Sequence, residues 1–169
     1  MCIPNTLISF FSSKLKSKYV HLGAQNCHHK FEEGPFTGSV NARMLKNAGA
    51  KYIILGHSEN RLEGDTDQII KKKIQSALKN NLIIIFCIGE THKEKRKGKT
   101  FIKLKKQINN SIGKKFDSKK IVVAYEPVWS IGTGKIPTPN DLIKIFKFIK
   151  RELIKKSINK SSPIVLYGG

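Results

Sequence analysis

Short apolar runs recur along this chain at intervals that dictate how it can fold. Residues 19–24, 52–56, 82–89, 121–125 and 163–167 are rich in β-branched side chains, and 2–4 reads as the end of one more. The runs are continuous rather than alternating, the pattern of strands buried on both faces. Their starts lie 33, 30, 39 and 42 residues apart, the length of a strand–helix unit. Strands that alternate with helices pair in parallel.

The intervening segments carry helical spacing. Ile70, Ile74, Ala77 and Leu78 fall at i, i+4, i+7 and i+8, behind residues 65–67 as cap and acidic first turn. Leu104, Ile108 and Ile112 repeat every four residues. Leu142, Ile145, Phe146, Ile149 and Leu153 form a further stripe, entered through Thr138 as N-cap and Pro139 at the first helical position. No Ser/Gly/Pro-rich linker divides the chain, so residues 1–169 are read as one α/β domain.

Charge needs a separate explanation. The chain holds 32 Lys+Arg against 12 Asp+Glu, a formal net charge of +20. Basic surfaces attract phosphate backbones, yet the cations are 28 Lys and 4 Arg, beside 23 Ile and 11 Asn. Those abundant residues are the ones A/T-rich codons encode, and Arg dominates specific base recognition. Nucleic acid is therefore not an expected partner; binding it would need Lys clustered on one face with aromatic platforms. No stretch approaches the ~18 apolar residues of a spanning helix, so no membrane partner is expected. Pro4 and Asn5 interrupt the apolar start and no basic run precedes it, which argues against a secretory signal. Cys2, Cys27 and Cys87 make no disulfide framework, fitting a reducing, cytoplasmic compartment. Adjacent Cys27, His28 and His29 should point in different directions, so no metal site is expected.

Two architectures share the strand–helix pattern: the doubly wound open sheet and the eightfold barrel. The first usually carries a Gly-rich phosphate loop after its first strand, and no GxGxxG occurs here. Gly132-Thr133-Gly134-Lys135 fails as a phosphate loop: Trp129 stands where its first Gly is needed, and Ile136 follows the lysine. The chemistry-bearing residues lie instead at strand ends. Gly56-His57-Ser58-Glu59 follows one apolar run, and Glu126-Pro127-Val128-Trp129-Ser130-Ile131-Gly132-Thr133-Gly134-Lys135 follows another. A His and a Glu there occupy the face where α/β enzymes place catalytic groups. Prolines at 127 and 137 around glycines 132 and 134 suit a lid that closes as a body, with amides free to meet phosphate.

These motifs resemble those of the triosephosphate isomerases. Cys87-Ile88-Gly89-Glu90, Gly23-Ala24-Gln25-Asn26, Phe36-Thr37-Gly38 and terminal Tyr167-Gly168-Gly169 match as well, in family order across essentially the whole chain. The resemblance implies a parallel (β/α)8 TIM barrel. It also implies cofactor-free and metal-free interconversion of dihydroxyacetone phosphate and D-glyceraldehyde 3-phosphate in glycolysis and gluconeogenesis. Glu126 matches the base and His57 the group that polarises the carbonyl. Gly132 matches a phosphate-binding amide within the lid Pro127, Val128, Trp129, Ser130, Ile131, Gly132, Thr133, Gly134 and Lys135. Ser58, Glu59, Gly168 and Gly169 fall at substrate-facing positions, Glu59 through the polar network beside the His. Thr37 lies in the loop that docks into a second subunit, implying a homodimer. Cys87 matches a packing cysteine.

Departures from the family qualify these expectations. A complete barrel takes about 250 residues, whereas this chain opens at the resembling second strand and stops at the seventh. About six of eight strands are expected, truncated at both ends, without the family's Asn-x-Lys motif and the eighth strand's Gly-Gly. Open edges would leave the chain unstable alone and its own activity doubtful, with a catalytically silent partial barrel as the alternative. Ser39 stands where the family usually has Glu, and Asn60 where it usually has Arg.

Overall fold

The apolar runs become six strands. A computed structural model describes residues 1–30, 34–159 and 161–168. The strands are β1 (Cys2–Ile3), β2 (Gly23–Ala24), β3 (Tyr52–Leu55), β4 (Ile83–Ile88), β5 (Ile121–Tyr125) and β6 (Val165–Tyr167). They form one sheet in chain order, and every neighbouring pair is parallel. A doubly wound sheet reverses its strand order; this one never does, which selects the barrel type of winding.

Helices α1 (Ile8–Lys14), α2 (Ala42–Asn47), α3 (Ser58–Leu62), α4 (Asp67–Lys79), α5 (His92–Arg96), α6 (Thr100–Ser111) and α7 (Pro139–Ile154) occupy the connections. The Thr138 hydroxyl accepts from the Asp141 amide at 3.1 Å and Pro139 opens α7, as its sequence implies. At α4 the cap is Thr66, whose hydroxyl accepts from the Ile69 amide at 3.3 Å. Asp65 turns away instead to meet the buried Lys73 ammonium at 2.7 Å.

Burial on the two sheet faces is unequal, contrary to the expectation from continuous apolar runs. Ile53, Leu55, Ile84, Phe86, Val123 and Tyr125 are buried in one core with Ile70, Ile74, Leu104, Ile108, Ile145 and Ile149 from the helices. On the other face Ile54, Ile85 and Val122, consecutive partners in register, are only half-buried. Leu166 keeps 45% of its surface exposed. Helices cover one face. The other looks onto an interior that six strands leave open, because β1 and β6 each have a single partner among the described residues.

The run 19–24 also shortens to Gly23–Ala24. Tyr19 is 96% exposed, and its amide bonds to the Ser17 hydroxyl at 3.2 Å in a local turn rather than joining the ladder. Cys27 is buried while the His28 and His29 rings pack 4.4 Å apart, so these two rings meet rather than diverge. No helix among the described residues is long and apolar enough to cross a membrane.

Two glycines fix the backbone at the carboxyl rim. Gly56 adopts φ +79°, in the left-handed region, where β3 turns into α3. A Cβ at Gly89 would lie 1.8 Å from the carbonyl oxygen of Glu126, so only glycine admits that close approach. Gly89→Ala is expected to destabilise the fold by about 1–3 kcal/mol or more in urea unfolding. Gly113→Ala, where the nearest atom lies 3.8 Å away, should be close to neutral; equal effects would contradict the close packing of the rim.

Candidate active site

Parallel pairing carries the site. Leu55 pairs with Phe86 and Phe86 with Val123, so three residues further on Ser58, Gly89 and Glu126 stand level at the carboxyl rim. Gly89 presents no side chain between its neighbours. The buried Glu126 carboxylate therefore reaches across to the end of β3. Its Oε1 accepts from His57 Nε2 at 2.7 Å, and its Oε2 accepts from the Ser58 amide at 3.3 Å.

His57 caps α3, and its Nδ1 accepts from the Glu59 amide at 3.4 Å. That amide bars a second proton from Nδ1, so the hydrogen-bond pattern assigns the imidazole proton to Nε2. The Glu59 carboxylate lies 3.6 Å from the same nitrogen, beyond hydrogen-bond reach, and is 82% exposed. The imidazole thus aims one N–H donor along the rim. Behind it, Arg61 Nε donates to the Gly56 carbonyl at 2.8 Å and its Nη1 pairs with Asp67 at 2.7 Å, bracing the turn.

His57 and Glu59 line a cleft of about 410 Å³ together with Asn5, Gln25, Asn26 and Ile54. Gly132 does not line it. Ile131, Gly132, Thr133, Gly134 and Lys135 are exposed, with Gly132 at φ +66° and Gly134 at φ +71°. The segment 127–135, expected from its sequence to form a lid, is held at its root instead. Trp129 Nε1 donates to buried Glu90 at 2.9 Å, the Tyr125 hydroxyl donates to the same carboxylate at 3.1 Å, and Lys95 Nζ stands 3.3 Å over the Trp129 ring. Burial first, then the Glu90 charge, push the Tyr125 phenol above its usual range. Pro127 and Val128 join the lid to β5, the Val128 amide donating to the Glu90 carbonyl at 3.1 Å. The Ser130 hydroxyl meets the Tyr167 hydroxyl at 3.4 Å.

The Gly168 amide donates to the Tyr125 carbonyl at 3.0 Å, at the rim beyond β6, and Gly169 lies outside the described residues. Thr37 is exposed and does not line the His57 cleft; near it the His28 amide donates to the Val40 carbonyl at 2.8 Å. Sequence patterns assign Glu90 no role. Its signal is the same as that of Glu126: a carboxylate immediately after a continuous apolar strand. Only the fold reveals that it takes the bonds of Tyr125 and Trp129. Asn5 and Asn26, which reach the cleft wall, carry no such local signal.

A singly wound parallel sheet with a carboxylate bonded to an imidazole at its carboxyl rim defines an enzyme of the (β/α)-barrel class. Comparison with known proteins narrows this. The family model described as triosephosphate isomerase matches residues 1–169. Triosephosphate isomerase of Bradyrhizobium diazoefficiens is 42% identical over 171 residues, a match covering all of this chain and 68% of that protein. Its Bartonella henselae counterpart is 37% identical, with 67% of its length covered. A crystal structure of triosephosphate isomerase from Bartonella henselae superposes with a TM-score of 0.89 at 35% identity, covering 99% of this chain and 68% of that one. The chain belongs to the triosephosphate isomerase family, whose members interconvert dihydroxyacetone phosphate and glyceraldehyde 3-phosphate in glycolysis.

Two of the three cysteines, Cys27 and Cys87, are buried. Burial foremost, with the Glu126 charge adding to it, pushes the Cys87 thiol up to about 12. Burial likewise pushes Cys27 up to about 12. At pH 8 iodoacetamide should label half-buried Cys2 and spare Cys27 and Cys87 in the native protein, all three reacting in urea. Rapid native labelling of Cys87 would contradict its placement.

Proposed function

We propose that Glu126 is the base and His57 the proton donor of this isomerase site. The observation that carries the reading is the 2.7 Å contact between them beside the open cleft. Removing a proton next to a carbonyl needs a carboxylate within hydrogen-bond reach and a donor for the oxygen that becomes negative. In the unliganded arrangement the two groups satisfy each other. A triose entering from the cleft exchanges that bond for its own: the Nε2–H turns to the substrate oxygens, and the freed carboxylate meets the carbon-bound proton. Glu126 returns the proton to the adjacent carbon, while His57 gives its Nε2 proton to the former carbonyl oxygen and takes the hydroxyl proton from the neighbouring oxygen, completing the aldose–ketose exchange without a cofactor.

The lid from Pro127 to Lys135 closes over the triose, bringing the Gly132 amide to its phosphate, and so excludes water from the enediolate. Ser58, through its amide, parks the carboxylate between turnovers. Glu59, Gly168 and Gly169 complete the polar rim around the substrate. The loop holding Thr37 docks into a second copy to form a homodimer. A glycolytic role places the protein in the cytoplasm, where the excess of Lys aids encounter with a phosphorylated substrate.

The half-exposed inner face, with β1 and β6 each paired on one side among the described residues, favours a second reading. On that reading this chain carries base and donor yet is catalytically silent until both sheet edges are covered. Turnover of glyceraldehyde 3-phosphate decides between them. A chain extended at both ends with the flanking segments of the Bartonella henselae relative should outpace the 169-residue chain and sediment as a dimer; equal rates would sink the second reading. In the extended chain, Glu126→Gln is expected to lower kcat about 10²–10⁴-fold with an unchanged melting curve. Near-normal turnover would remove Glu126 as the base.

A further inference from the structure

Two phenylalanines meet on the helical side of the sheet. Phe101 in the first turn of α6 and Phe148 of α7 place their ring centroids 4.8 Å apart, tilted by 53°. They floor a groove of about 510 Å³ whose remaining lining is Lys144, Lys147 and Arg151. Every lining residue is therefore aromatic or cationic. The α7 members fall at i, i+3, i+4 and i+7, one face of the helix. The Arg151 guanidinium stands 5.4 Å from the Phe148 centroid, and Phe101 is 42% exposed. Lys144 and Lys147 have no ion-pair partner among the described residues. Arg151 Nε lies 3.6 Å from buried Glu152, whose closer partner is Lys155 at 2.6 Å.

We propose that this α6/α7 groove binds single-stranded nucleic acid, with bases stacked on Phe101 and Phe148 and phosphates met by Lys144, Lys147 and Arg151. A positive groove floored by aromatic faces is what sequence-tolerant single-strand binding requires. Codon usage accounts for many lysines spread over a surface. It does not set three cations around two touching aromatic rings without an acid in the lining, nor place one of only four arginines against Phe148. An acidic peptide or an anionic membrane would use the charge, but neither calls for flat rings recessed in a groove. The groove shares no lining residue with the His57 cleft, while Phe101 and Lys144 also border the neighbouring pocket that holds Glu90, Trp129 and Asp141.

Fluorescence anisotropy with a labelled dT oligonucleotide about twelve nucleotides long, within the site sizes known for single-strand binders, tests the proposal across about 50–200 mM salt. Phe101→Leu/Phe148→Leu keeps both positions apolar and removes the stacking faces. It should weaken binding about tenfold at fixed salt with the salt slope unchanged. Lys144→Gln/Lys147→Gln should flatten the slope of log affinity against log salt by about 1.4, at ~0.7 for each phosphate no longer neutralised. Lys114→Gln/Lys115→Gln removes equal charge at exposed positions outside the groove and should do neither. Circular dichroism melting confirms that each variant is folded; should the double leucine variant melt early, Phe101→Leu alone provides the stacking test. Equal effects from both lysine pairs, or no effect of removing the stacking faces, would overturn the proposal. Binding to phosphatidylserine vesicles or a poly-Glu peptide with none to the oligonucleotide would overturn it too.

Discussion

In-step pairing of β3, β4 and β5 assembles the site. Parallel ladders run without reversal, so each strand delivers its following residues to the same rim. Ser58 and Glu126 are 68 positions apart in the chain yet exchange a hydrogen bond. A slip of one residue in β5 would turn the Glu126 side chain to the opposite face of the sheet. Glycine at position 89 is the second half of the same requirement, because the β4 end must let the Glu126 backbone approach closely.

The two parts of the rim are held by different means. His57 is fixed from behind by the Glu59 amide and by the Arg61 brace on the Gly56 carbonyl. The segment after β5 is anchored at its root, where Glu90 collects bonds from Tyr125 and Trp129, Lys95 covers the indole face and the Ser130 hydroxyl meets that of Tyr167. Beyond Ser130 the lid is exposed, and its bonds are largely its own: the Thr133 hydroxyl donates to the Trp129 carbonyl at 2.9 Å. An internally bonded tip on a latched root can move as a unit, with the glycines supplying its left-handed turns.

Much of this is legible in the sequence, for identifiable reasons. β5 matches its apolar run without adjustment, and Thr138-Pro139 marks the start of α7, because both signals are local. His57 and Glu126 stand out because strand ends are where such chemistry collects. The signals fail where tertiary context takes over. Lys16, Ser17 and Lys18 precede Tyr19, and a side-chain turn removes it from its strand. Asp65 looks like a cap and becomes the partner of Lys73, whose burial no linear pattern announces. Continuous apolar runs imply burial on both faces, but the inner face depends on how many strands surround it.

The proposed roles of His57 and Glu126 turn on an imidazole that carries its proton at Nε2 and aims it at the Glu126 carboxylate. Nitrogen NMR of the His57 ring at about pH 7.5, where an ordinary imidazole is mostly neutral, measures this directly, with assignment by the signals that vanish in His57→Gln. The geometry predicts one proton-bearing nitrogen, Nε2, and a bare Nδ1. A proton on Nδ1, or one on each nitrogen, would contradict it.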